Sequence, residues 1–331
     1  MPSPRARSRS LARRLPAAVA LAAAAGLAGC ASATAAPPPA SGGGATVTVT
    51  VVPAPGAAGL YIAADGGLFT QAGLHVTITN TVSAAGTVPD LLSGKTDVVL
   101  GQWTTAIAAE AKGTRLAAIG EGNAGGLGLE ELVTSPGSPI ERLSQLSGKT
   151  IAVNALQGLP QLLTVRLLRD NGVPVSRVRF IPVPFPLMGA ALARHEVDAA
   201  FMVEPYLSRA EEKYGVAELA DLDQGSTAGF PVTGYYTTRA WEAANPAAAA
   251  AFTAALRRGQ ETAAADRAAV ERALIRHLGI SPLVAAVMSP GTYPVGPVDP
   301  VHLERVGDLM QAGGLLPRTA QVPAIARALA S

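Results

Sequence analysis

The 331-residue sequence predicts an α/β fold made of two related units, each with a mostly parallel sheet. Three observations carry that reading. Strand-like and helix-like segments alternate from residue 46 to residue 238. The length matches two domains of roughly 150 residues each. One spacing also occurs twice. Leu91, Asp97 and Trp103 stand six and six residues apart, and so do Leu192, Asp198 and Glu204. In both triplets a helix ends, an Asp opens an apolar strand, and a large polar or aromatic residue follows that strand.

The elements run in order. Residues 46–52, TVTVTVV, alternate with period two and predict a first strand. The prolines and glycine of residues 53–56 break it, and a helix follows at 59–65. A strand at 75–79, a helix from 88 to 92 capped by Gly94, a buried strand at 96–100, a helix at 104–112 and a strand at 115–119 complete the first unit. A glycine-rich stretch, 122–128, precedes an extended segment at 131–134. Then come a strand at 150–154, a helix at 160–171, a strand at 178–183, a helix at 187–194, a strand at 198–202 and a helix at 205–214. After a strand at 232–238 the remainder is helical, at 246–265, 267–277, 282–288, 300–312 and 322–329.

Composition excludes several classes. Hydrophobic residues make up 49% but aromatics only 4%, so the mean hydropathy of +0.29 reflects alanine. Beyond the N-terminal segment no run is long and apolar enough for a polytopic membrane protein. The formal charge of +2 is set by Arg5, Arg7, Arg9, Arg13 and Arg14; without them 21 basic residues face 24 acidic ones, a net of −3. No basic stripe remains, which argues against nucleic acid. A single cysteine and four scattered histidines, His75, His195, His277 and His302, predict neither a disulfide nor a metal site, and no cofactor. No Gly-x-Ser-x-Gly elbow, P-loop or His-Glu-x-x-His is present, so the expectation is a protein that is not an enzyme.

Residues 1–29 have the basic start and short apolar run of a secretory signal. The run ends in Leu27-Ala28-Gly29-Cys30, which resembles the lipobox of bacterial lipoproteins, and that likeness implies lipidation of Cys30. Residues 31–45, rich in Ala, Ser, Pro and Gly, read as a flexible tether. The expected location is the extracytoplasmic face of a cell membrane, held by a lipid anchor.

Three stretches carry a family resemblance. They are LYIAADGGLFTQAGLHV at 60–76, LLSGKTDVVLG at 91–101, and a run from LSGKTIAV at 146–153 through LLRDNGV at 167–173 to ALARHEVDAAFMVEPY at 191–206. TTRAWEAANPAAAAAFTAAL at 237–256 follows in the same order. Together they resemble the nitrate/sulfonate/taurine and thiamine-pyrimidine family of periplasmic-type solute-binding proteins. The resemblance implies a type II-like fold of two lobes around a ligand cleft, joined by two hinge crossovers. Carried over, lobe one spans 46–121 plus 232–331 and lobe two 129–228, with crossovers at 122–128 and 225–231. His195 stands where the family usually has a glycine, which suggests a left-handed histidine or a longer turn.

The family places its ligand on loops that follow strands. Here those loops hold Tyr61, Trp103, Thr104, Asn154, Glu204, Tyr206 and Tyr235, the expected ligand-binding residues. Trp103 is either a stacking platform or core, and Thr104 either a hydroxyl donor or a helix cap. Glu204 accepts a ligand amine or ring N–H, caps the helix that Pro205 starts, or pairs with a lysine. If the two units face each other, Trp103 and Glu204 reach one cleft from opposite sides. The resemblance implies a monomer that presents a small organic solute, of the sulfonate/taurine, nitrate or pyrimidine-like class, to an ABC permease. The alternatives are an enzyme on the same fold, or a sensor or scaffold lipoprotein.

Overall fold

The computed structural model describes residues 44–81 and 86–331. The leader, Cys30 and most of the tether lie outside these residues, so neither the lipidation site nor the signal is described. No described helix is long and apolar enough to cross a membrane.

The first sheet begins with β1 (Ala45–Val51) and β2 (Leu74–Asn80), joined by α1 (Ala58–Asp65) and α2 (Leu68–Gln71). α3 (Thr87–Leu92) leads into β3 (Val98–Gln102), and α4 (Trp103–Ala111) into β4 (Leu116–Glu121). The second sheet holds β5 (Glu130–Thr134), β6 (Thr150–Val153), β7 (Arg179–Pro182), β8 (Ala199–Val203) and β9 (Ala217–Asp221). Its helices are α5 (Leu159–Asp170), α6 (Phe185–Ala193) and α7 (Tyr206–Tyr214). The chain then returns to the first sheet as β10 (Thr233–Thr238). It continues through α8 (Arg239–Ala244), α9 (Pro246–Ala265), α10 (Arg267–Leu278), α11 (Pro282–Val287), α12 (Pro300–Ala312) and α13 (Val322–Ala330).

The strand orders are β2-β1-β3-β10-β4 and β7-β6-β8-β5-β9. The expectation of mostly parallel sheets needs correction, because β10 runs antiparallel to β3 and β4, and β5 antiparallel to β8 and β9. Both antiparallel strands enter a sheet directly from the other sheet, with no crossover helix to reverse their direction. β9 was not expected: AELAD lacks β-branched residues, and it forms an edge strand through pairing with β5 alone.

Local chemistry accounts for the turns. His195 sits at φ 56°, the left-handed conformation that lets the chain leave α6 where a glycine is usual. Pro246, Pro282, Pro300 and Pro323 lie in the first turns of their helices, where no backbone donor is wasted. One apolar core lies under α1, α9 and α10 on the first sheet. A second core continues from the first sheet to the second, through Trp103, Ile107, Leu163, Phe201, Leu303 and Met310. α12 packs both on α4 of the first sheet and on α5 of the second. Arg169 Nη1 of α5 donates to the Ala312 carbonyl at 3.2 Å.

Candidate functional site

The two sheets meet at the carboxyl ends of their parallel strands. β4 ends at Glu121, and the chain reaches β5 at Glu130, which pairs with Val203 at the end of β8. β9 ends at Asp221, and the chain reaches β10 at Thr233, which pairs with Gln102 at the end of β3. Both connections therefore tie carboxyl ends to carboxyl ends, and the resulting seam is where open α/β sheets receive ligands.

The connections are pinned to one another. Gly128 N donates to Asp221 Oδ2 at 2.5 Å, Gly125 N to the Phe230 carbonyl at 2.8 Å, and Val232 N to the Asn123 carbonyl at 3.1 Å. A third segment joins them, where Ala124 and Thr292 exchange two backbone hydrogen bonds. Arg305 of α12 donates to the Ala228 and Gly229 carbonyls at 2.9 and 3.2 Å and lies over the Phe230 ring.

The repeated spacing has a structural counterpart. Asp97 Oδ2 accepts from Thr48 N at 2.8 Å, and Asp198 Oδ2 accepts from Thr150 N at 2.8 Å. In each unit the Asp backbone N–H also donates to the carbonyl of that threonine, at 2.9 Å. Asp97 ties the start of β3 to the middle of β1, and Asp198 ties the start of β8 to the start of β6.

The residues six positions later do not meet as expected. Trp103 has no exposed surface. Its indole fills the space above Gly234, where an added Cβ would fall inside the ring, and Nε1 donates to Glu121 Oε2 at 3.3 Å. An open aromatic platform is thus replaced by a core residue of the first sheet. Tyr61 and Tyr235 are likewise buried beneath that sheet, Tyr61 stacked on His277 with ring centroids 4.1 Å apart. Glu204 is 3% exposed, and both its oxygens are engaged by Ser208, Oε1 by the hydroxyl at 2.6 Å and Oε2 by the backbone N–H at 3.2 Å. Of the three roles open to it in the sequence, these bonds correspond to the helix cap.

Three predicted residues lie just past strand ends. Thr104 is buried in the first turn of α4. Tyr206 opens α7, half-buried and stacked on Phe185 at 5.6 Å. Asn154 follows β6 and is half-buried; its Oδ1 is shielded from solvent and has no hydrogen-bond partner. The exposed loop 155–157 comes next, with Gln157 at φ 61°. α4, α5 and α6 all start at strand ends without a side-chain cap, whereas Thr238, Asp266, Ser281 and Asp299 cap α8, α10, α11 and α12. At α4 the Trp103 N–H donates to the Val232 carbonyl at 3.2 Å, and Pro160 and Pro186 carry no N–H, so the donors left for an anionic or carbonyl oxygen are the first N–H groups of α5 and α6, at Leu159 and Phe185.

Five buried carboxylates surround the seam, Glu121, Glu130, Glu131, Glu204 and Asp221, and of these the sequence reading named only Glu204. Glu130 and Glu131 open β5. Burial pushes both up to about 8, helped by the charges of Asp223 and Asp221 on the first and of Glu218, Glu211, Asp221 and Glu204 on the second. Burial also pushes Glu204 up to about 7, against the Ser208 hydrogen bonds. Glu121 is raised by burial too, although His302 Nδ1 lies 3.3 Å away and favours its charged form. The Glu130-Glu131 pair directly after a glycine-rich run was a readable signal, since a charged pair at a strand start is unusual. Glu121 and His302 are 181 residues apart and carried none. Among the described residues no group of three or more His, Cys, Asp or Glu could hold a metal ion.

Comparison with known proteins follows this geometry. The NMT1/THI5-like family model matches residues 54–269. The periplasmic aliphatic sulphonate-binding protein SsuA from Escherichia coli is similar at a TM-score of 0.70 and 19% identity, covering 85% of this chain and 96% of that one. The ligand-binding component of an ABC-type import system from Staphylococcus aureus is similar at 0.73 and 15% identity, covering 87% and 99%. The desulfurization enzyme DSZB is similar at 0.66 and 17% identity, covering 84% and 96%. No curated protein sequence matches. With two mixed sheets in this arrangement, the chain has the α/β fold of periplasmic binding proteins and belongs to the NMT1/THI5-like family.

Proposed function

We propose that this chain is the extracytoplasmic substrate-binding lipoprotein of an ABC-type importer, and that it takes a small organic solute at the seam between its sheets. The observation that carries the reading is the convergence of strand carboxyl ends with the uncapped helix starts of α5 and α6, beside the unpartnered Asn154 Oδ1. Such groups hold an oxyanion or carbonyl without a lysine or arginine. Residues 46–121 with 232–331 form one lobe and 129–228 the other, and the crossovers at 122–128 and 225–231 absorb the change on closure. Thr104 borders the solute, which belongs to the sulfonate/taurine, nitrate or pyrimidine-like class. Likeness to a sulphonate-binding protein and to an import component supports the class and the role.

Likeness to a desulfurization enzyme supports a second reading, catalysis on the same fold. Mass spectrometry of the molecule that co-purifies with the chain decides between them. A bound solute released unchanged supports the importer, and its steady conversion supports the enzyme. Asn154→Ala is expected to lower the affinity for that solute about tenfold, the loss of about one hydrogen bond in a desolvated site. Retention of Cys30→Ser in the membrane fraction would overturn the lipid anchor.

A further inference from the structure

A second cavity lies away from the seam, on the outer surface of α6 and α7. The two helices touch at Gly189, where a Cβ would lie 2.6 Å from Tyr214 Cδ2. Beside that contact they part around a cavity of about 420 Å³. Phe185 and Tyr206 form one wall, their rings 16° from parallel, and the buried Met202 forms the floor. Tyr214 stands at the other end, with Lys213 Nζ 5.2 Å from its ring centre. Tyr206 and Tyr214 open and close the nine-residue α7, so the cavity leads about 12 Å along the helix, away from the strand ends.

The rim is positively charged. Arg209 and Lys213 are one turn apart on α7 and exposed. Neither forms an ion pair or a side-chain hydrogen bond among the described residues, although Arg194 nearby is held by Glu196 at 2.7 Å. Two unpaired cations above three aromatic rings match a ligand that is flat on one side and anionic at one edge. The volume suits a small molecule. We propose that the groove between α6 and α7 is a second binding site, separate from the seam, for a planar aromatic ring bearing one carboxylate, sulfonate or phosphate. The ring lies against Phe185 and Tyr206, and its anionic group lies between Arg209 and Lys213.

Calorimetry with the purified full-length chain tests this, using 2-naphthalenesulfonate as the probe. The expected result is saturable binding that weakens at least tenfold in Arg209→Gln/Lys213→Gln and in Phe185→Leu. The leucine keeps apolar bulk but removes the stacking ring. Neutral 2-naphthol and inorganic sulfate are each expected to bind at least tenfold more weakly than the probe. Absence of binding at millimolar probe overturns the proposal. Unchanged affinity in Arg209→Gln/Lys213→Gln overturns it as well, because the probe then sits elsewhere, the seam included.

Discussion

The two sheets share one frame and differ in what closes its end. Their strand orders match position by position, the fourth strand of each is antiparallel, and each of these strands shifts register once, at Tyr235/Tyr236 and at Leu132/Val133. Asp97 and Asp198 make the same bonds to Thr48 and Thr150. Six residues on, the likeness ends. The first sheet closes over Trp103, a large apolar ring seated on Gly234, and the second over Glu204, a carboxylate held by its own helix. Backbone hydrogen bonding constrains the frame tightly in both, whereas the end of a strand tolerates any side chain its neighbours can pack or satisfy.

The comparison can be broken most forcefully at Trp103. Trp103→Ala is expected to cost about 3–5 kcal/mol, because it empties a buried ring site and leaves Glu121 short of a donor. Urea unfolding checks this. A stability close to that of the original chain would restore Trp103 as a free binding platform. Glu204→Gln in the second sheet keeps the size of the side chain and one of its two acceptors for Ser208, and its effect depends on pH.

That dependence has a definite sign. Glu204 near 7 and Glu130 and Glu131 near 8 all lie above the value of a glutamate in the unfolded chain. The folded chain therefore holds more protons than the unfolded one between roughly pH 4.5 and 8. Over that window these groups lower stability as pH rises, a change on the order of 1.4 kcal/mol per unit for each fully coupled group. Urea midpoints at pH 5 and pH 8 are expected to fall with pH, and to fall less in Glu204→Gln. An equal slope in the variant would show that Glu204 is charged in the native state.

The shared frame is sharpened by Asp97→Ala and Asp198→Ala. Each removes a charged acceptor from a backbone N–H and is expected to cost about 1.5–3 kcal/mol, with the two values close to one another. Lys149→Ala gives the smallest effect, below about 1 kcal/mol. Its bridge to Asp198 Oδ1 at 3.3 Å is open to solvent, and the first unit has Val47 at the matching place.

Much of this frame was legible in the sequence. Helices 246–265 and 300–312 begin and end where the prolines and apolar period put them. The left-handed His195 follows from its place at a helix end. The paired Asp residues follow from a spacing that recurs. These features are local, because a strand or a helix start is determined by residues within a few positions of one another.

The site was less legible. Aromatic residues near strand ends look alike in a sequence whether they face solvent or core. Trp103 is buried because Gly234, 131 positions later, leaves room for its ring, and Tyr61 because His277 lies against it. Asn154, by contrast, follows β6 half-buried, and among the described residues no side chain far along the sequence supplies a partner for its Oδ1.

The sequence by itself therefore determined most of the alternation of elements, short pieces such as α2, β9 and α8 excepted, and the two Asp-anchored units. Only the tertiary structure decided that β5 and β10 run antiparallel, that α12 rests on helices of both sheets, and which strand-end side chains are buried. The physical reason is range. Hydrogen bonding and periodicity act between near neighbours, while burial depends on the shape left by residues far along the chain, and no local pattern records that shape.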